Sequence, residues 1–154
     1  MKILSMIHPK HWDKPLCYKK VKIEYPFCTL AARFFLLSRD GTGLVRMGLG
    51  AALLHESGHL TVYRRLKGEW PALKVTLAGF SLAAWPLDRK SDLWVTAAGP
   101  LANFLAFGAC WAAAQYKAGY SLYFFAAANF CVGVFNLLPV PPLDGRRLWE
   151  LMRD

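Results

Sequence analysis

The chain has 154 residues, enough for one domain; 55% are hydrophobic, 19% are charged, and the formal net charge is +9. That is too apolar for an ordinary soluble domain of this size. The basic residues cluster and the apolar ones fall in long blocks, a membrane-protein pattern that excludes the interleaved basic and aromatic face a nucleic-acid partner requires.

In chain order, residues 1–25 read as a basic cytoplasmic tail with Lys10, Lys14, Lys19, Lys20 and Lys22. Its first fifteen residues lack the apolar stretch and cleavage site of a secretory signal. His8 and His11 flank Pro9, which spoils helical spacing, so a solvated tail is expected there and not a metal site. The alternation in YKKVKIEY suggests a short interfacial strand. PFCTLAARFFLLS is apolar but contains Arg33 and is shorter than the roughly 20 residues of a spanning helix, so it is read as a short or tilted first span. RDGTG is a turn.

Residues 44–63, LVRMGLGAALLHESGHLTVY, form a second apolar segment that runs into Arg64, Arg65 and Lys67. LKVTLAGFSLAAW is rich in β-branched and aromatic residues, alternates partially, and is broken at Gly79; it predicts a bent hairpin at the membrane surface, with Trp85 at the interface. Residues 93–116 carry no charge and are the clearest spanning helix, with Ala97, Ala98, Gly99 and Ala102 permitting close packing. Residues 121–138 form another, stopped by Pro139, Pro141 and Pro142. Cys17, Cys28, Cys110 and Cys131 form no CxxC pair, so neither a zinc ribbon nor a disulfide framework is indicated. The expected fold is a mainly α, polytopic membrane protein of about four transmembrane helices, with a short membrane-surface β hairpin between the second and third. Lys and Arg crowd the tail, the 64–90 connection and the C-terminus. The opposite connections hold Arg39 beside Asp40, and Lys117 alone. That bias places both termini in the cytoplasm.

The chemistry concentrates in LLHESGHL. His55 and His59 are four residues apart, so on a helix both imidazoles share a face and can share a tetrahedral metal. Glu56 sits about 100° round from His55, where it can act on a water without being a ligand. This is HExxH, in which zinc acidifies water and the glutamate takes the proton. A solvated helix terminus is the competing reading, but apolar residues surround the trio, and ionisable groups at membrane depth point to function. A third ligand is needed. The metzincin extension would put a glycine and a histidine where Val62 and Arg65 stand. Glu69 is allowed by spacing but lies between a glycine and Trp70–Pro71. Asp144, in NLLPVPPLDGRR, follows a proline-broken helix, where irregular backbone can line a cavity; its competing role is to cap the C-terminal helix.

HESGH, then AGPLANF, then NLLPVPPLDG, each in its own apolar segment, resemble the site-2 protease family of intramembrane zinc metalloproteases. The order and spacing are closest to the subgroup of the stage IV sporulation protein FB, over about residues 21–150. The resemblance implies one Zn2+ per chain held by His55, His59 and Asp144, with Glu56 as catalytic base. It implies a substrate-side role for Asn136 and, as a family hallmark, Asn103; interhelical hydrogen bonding is the alternative for both. Residues 26–154 would be a minimal intramembrane metalloprotease core. Many relatives carry a second glycine where Arg146 stands, and sporulation-type relatives continue with further helices and a sensing domain. The expected partners are the bilayer and a membrane protein or peptide substrate, with a regulatory membrane partner or a homo-oligomer left open. The expected location is a bacterial cell membrane, as an integral protein engaged in regulated intramembrane proteolysis. The hairpin would offer an edge to an unwound substrate. The competing function is a catalytically inactive membrane zinc-binding scaffold, for which Glu56 has no use.

Overall fold

A computed structural model of the chain describes residues 16–18, 21–23, 26–76, 79–83, 87–117 and 119–153. Most of the basic tail, including His8 and His11, and Trp85, expected at the membrane interface, lie outside the described residues. The chain divides into two compact units.

One unit holds a four-stranded sheet and helix α1 (Pro26–Ser38). Strands β1 (Leu16–Tyr18) and β2 (Val21–Ile23) pair antiparallel. β2 then pairs parallel with β3 (Ala72–Thr76), and β3 pairs antiparallel with β4 (Gly79–Ala83). This corrects the expectation of an isolated hairpin. β3 is an interior strand, with Val75 opposite Ile23 on one flank and Phe80 on the other. A parallel partner so distant in sequence leaves no mark in local periodicity, which is why the strands read as a two-stranded unit.

The other unit holds α2 (Leu44–Lys67), α3 (Arg89–Tyr116), α4 (Tyr120–Asn136) and α5 (Asp144–Arg153), with α3 packed against the other three. α2 buries Ala51, His55, His59 and Tyr63, a strict every-fourth-residue stripe. It stops at Gly68, whose φ of 74° is left-handed and whose N–H donates to the Arg64 carbonyl at 2.8 Å. Arg64, Arg65 and Lys67 oppose the negative end of the helix dipole. At the other end, Asp40 Oδ2 accepts from the Arg46 backbone N–H at 3.0 Å and from its Nε at 3.2 Å. Burial alone would raise the Asp40 pKa, but these donors outweigh it and hold the carboxyl below its ordinary 3.8. α3 begins at Asp88, which caps it by accepting from the Ser91 N–H at 3.2 Å.

The expectation of four spans is met only in part. Among the described residues one helix, α3 with 28 residues, is long and apolar enough to cross a membrane, and α4 is apolar but has 17. At 1.5 Å per residue, 17 residues reach about 26 Å, the short end of the range for crossing a hydrocarbon layer of about 30 Å. α1 has 13 residues, and the 24 of α2 include the His55–Glu56–His59 trio and four basic side chains. The residues that carry the chemistry are the ones that lower the apolarity of α2.

The interior of the helical unit is small or polar. Its buried residues include Ala51, Ala98, Ala114, Ala126, Thr96, Asn103 and Asn129, whereas Leu53, Leu101, Leu105, Trp111 and Phe135 are each more than half exposed.

Candidate metal centre

α2 and α3 meet through small residues. A Cβ placed on Gly58 would sit 2.5 Å from the Ala98 carbonyl oxygen and 3.0 Å from the Ala102 Cβ. One turn along, a Cβ on Gly99 would overlap His59 Nε2 and come within 2.8 Å of His55 Cε1. The bare backbone of Gly99 is therefore the floor on which both imidazoles lie. Val95, Gly99 and Asn103 follow at four-residue spacing on α3 and face the four-residue pair on α2.

Each ring is pinned to α3 at Nδ1. His59 Nδ1 lies 2.7 Å from the Val95 carbonyl oxygen, and His55 Nδ1 lies 2.7 Å from Asn103 Oδ1. A carbonyl oxygen only accepts, so His59 carries its proton on Nδ1. The Asn103 amide is oriented likewise: its Nδ2 donates to the Ala51 carbonyl at 3.0 Å and to Asn129 Oδ1 at 2.9 Å, leaving Oδ1 to accept from His55. When neutral, both rings thus present an Nε2 lone pair.

Those lone pairs converge. His55 Nε2 and His59 Nε2 are 3.1 Å apart and lie 2.9 and 3.2 Å from Asp144 Oδ2. Three acceptor atoms at such distances repel one another unless a proton or a cation lies between them. Metal–ligand bonds near 2.0–2.1 Å in a tetrahedron imply ligand–ligand edges of about 3.3 Å, close to what this cluster has before any metal adjusts it. The donor set, two imidazole nitrogens and one carboxylate oxygen, suits zinc.

Asp144 reaches the cluster because the chain turns hard after α4. Pro139, Pro141 and Pro142 end the helix, with a cis bond between the last two, and α5 opens on Asp144 itself. Gly145 is buried against the end of α4, where any Cβ would overlap the Leu137 carbonyl. α5 is tied to the start of α3 by Arg147 Nη2 to Asp92 Oδ1 at 2.7 Å and by Arg89 Nε donating to the Leu151 carbonyl at 2.9 Å.

The structure thus brings His55, His59 and Asp144 together, with Asn103 behind His55. Glu56 is half-buried beside them on α2. Asn136 is half-buried at the end of α4 and donates to the Val132 carbonyl of its own helix at 2.9 Å. Glu69 is exposed beyond the end of α2, and the metal-capable cluster does not include it. Sequence reasoning missed Asn129, which is fully buried. Its signal was an amide in the uncharged run SLYFFAAANF, two helical turns before Asn136 on the same face.

Comparison with known proteins finds a likeness to a family model and to solved structures. The model of Peptidase family M50 matches residues 109–154, which include Asn129, Asn136 and Asp144. No curated protein sequence matches the chain. Among solved structures, the site-2 protease from Methanocaldococcus jannaschii superposes with a TM-score of 0.68 at 22% identity, covering 90% of this chain and 70% of that one. By fold, then, the chain is similar to a site-2 protease.

Proposed function

We propose that the protein is a zinc-dependent intramembrane endopeptidase of the site-2 protease type. The observation that carries this reading is the convergence of two imidazole Nε2 lone pairs and the Asp144 carboxylate, with Glu56 next in sequence to one of the ligands. His55, His59 and Asp144 hold the metal. When bound, zinc supplies a Lewis acid that acidifies water and polarises a peptide carbonyl. The Glu56 carboxylate takes the proton from the attacking water and delivers it to the leaving amide nitrogen. The Nδ1 bonds to Asn103 and Val95 hold both rings in the ligating tautomer throughout.

The packing supports a bilayer as the solvent. Polar side chains sit inside the helical unit and large apolar ones outside. In water such an exterior would be an aggregation surface, whereas in lipid it matches the acyl chains, and close packing of small residues holds the helices. On this reading α3 and α4 cross the membrane, both termini lie in the cytoplasm, and the substrates are membrane-embedded or membrane-proximal peptide bonds. The narrower likeness to the stage IV sporulation protein FB subgroup rests on motif order and spacing. A zinc-binding scaffold without activity would have no need of Glu56.

The test is reconstitution of the purified protein in liposomes with a single-span test substrate. We expect cleavage that stops on chelation and returns with zinc. A zinc-loaded protein that leaves a panel of such substrates intact would return the scaffold reading.

A further inference from the structure

We infer that Asn103, locked in place by Asn129, is a positioning residue that holds His55 in its metal-ligating tautomer. This rests on the metal-binding half of the proposed function and not on proteolysis.

Two backbone carbonyls set the orientation of both amides. The Phe125 carbonyl accepts from Asn129 Nδ2 at 2.9 Å, and the Ala51 carbonyl accepts from Asn103 Nδ2 at 3.0 Å. Each carbonyl can only accept, so each amide nitrogen is fixed in place. Asn129 then has only its Oδ1 to offer Asn103, which donates to it at 2.9 Å. Asn103 in turn has only its Oδ1 to offer His55, whose Nδ1 must be the donor at 2.7 Å. In the neutral ring, the proton on Nδ1 leaves Nε2 a lone pair aimed at Asp144 and His59.

Among the described residues, Asn103 and Asn129 are the two largest side chains wholly removed from solvent. Both Asn103 amide hydrogens and its oxygen are satisfied, so Asn103 is not free to contact a substrate while the relay is intact. Simple glue between α3 and α4 would need only the bond between the two amides. The third contact, to His55, is what glue does not require. A residue that fixes the unligated nitrogen of a metal-binding histidine commonly changes metal affinity by about 10–100-fold when removed.

The test uses the full-length protein in detergent, with zinc alone as the probe and a competing chelator to read affinity. 15N spectra of the metal-free protein read the His55 tautomer. The wild type should show His55 protonated on Nδ1. Asn103→Leu should weaken zinc binding about 10–100-fold and release His55 into a mixture of tautomers. Asn103→Asp, which keeps an oxygen toward His55, should recover affinity to within about threefold of wild type. Asn129→Leu, which leaves one Asn103 N–H without a partner, should weaken binding by about threefold to tenfold. The inference is overturned if His55 in the wild type carries its proton on Nε2. It is overturned if Asn103→Leu binds zinc like wild type, or if Asn103→Asp falls as far as Asn103→Leu. An unchanged Asn129→Leu would overturn the locking role of Asn129. Because none of these readouts uses cleavage, a zinc-binding protein without protease activity would sink the proposed function and leave this inference standing.

Discussion

Replacing Gly99 with alanine places one methyl group where the two histidine rings lie. The added Cβ would stand 2.5 Å from His59 Cε1 and 2.8 Å from His55 Cε1, against ordinary contacts that begin at 3.4 Å. Something must move by up to roughly an ångström, while metal–ligand bonds tolerate only about 0.2 Å. If the rings move, they leave the Val95 carbonyl or Asn103 Oδ1, which pin them. If α3 backs away, it carries Val95 and Asn103 with it, because all three residues lie on one face of that helix. Either way the ligands are displaced. Zinc affinity should fall at least about a hundredfold, near 2.8 kcal/mol, in addition to an overpacking cost of about 1–3 kcal/mol in stability. Gly108, on the same helix, has no neighbour within 4 Å of a built Cβ, so Gly108→Ala is the matched control and should bind zinc as wild type does. Chelator competition on both variants gives the answer. Wild-type affinity in a folded Gly99→Ala protein would show that the rings do not rest on Gly99, and the packing account would be wrong.

Asp144→Ala should lower zinc occupancy as His59→Ala does, whereas Glu69→Ala should leave it unchanged, as read by metal analysis of the purified variants; the reverse pattern would reassign the third ligand. Asp40 is held below its ordinary pKa of 3.8, so its contribution to anchoring the start of α2 is present above that value and is lost as pH falls through the lowered one. Amide exchange at residues 44–47 should therefore accelerate in that acid range in wild type, and Asp40→Asn should already exchange fast at neutral pH. Reporter fusions should put the connection near Lys117 on the opposite side of the membrane from Asp88, because α3 runs between them; the same side for both would remove α3 as a span.

The grouping of His55, His59 and Asp144, which could hold a metal, was legible in the sequence because its parts are local: a four-residue histidine spacing on one helix, and an aspartate after a proline-broken one. Asn103 was legible as a position but not as a role. Its contact with His55 joins residues 48 apart, and the sequence says nothing of which way the amide faces. Gly99 stood out only as one of several small residues; that it alone of AAGPLA lies beneath two imidazoles depends on the rotation of α3. Asn129 was hidden by an apolar context that looks the same whether an amide is buried or faces lipid. The sheet was half read, since antiparallel neighbours close in sequence announce themselves and the parallel β2–β3 pairing does not. The number of spans was not legible, because basic flanks on a short segment such as α1 look the same whether or not it crosses.

In the proposed function Glu56 moves protons for a metal held by its neighbours. The most direct test is a paired measurement on Glu56→Gln: zinc per chain, and cleavage of a single-span test substrate in liposomes. The expected result is one zinc per chain, as in wild type, with cleavage abolished, because the carboxamide cannot accept the proton and the three ligands are untouched. Cleavage at the wild-type rate by this variant would contradict it.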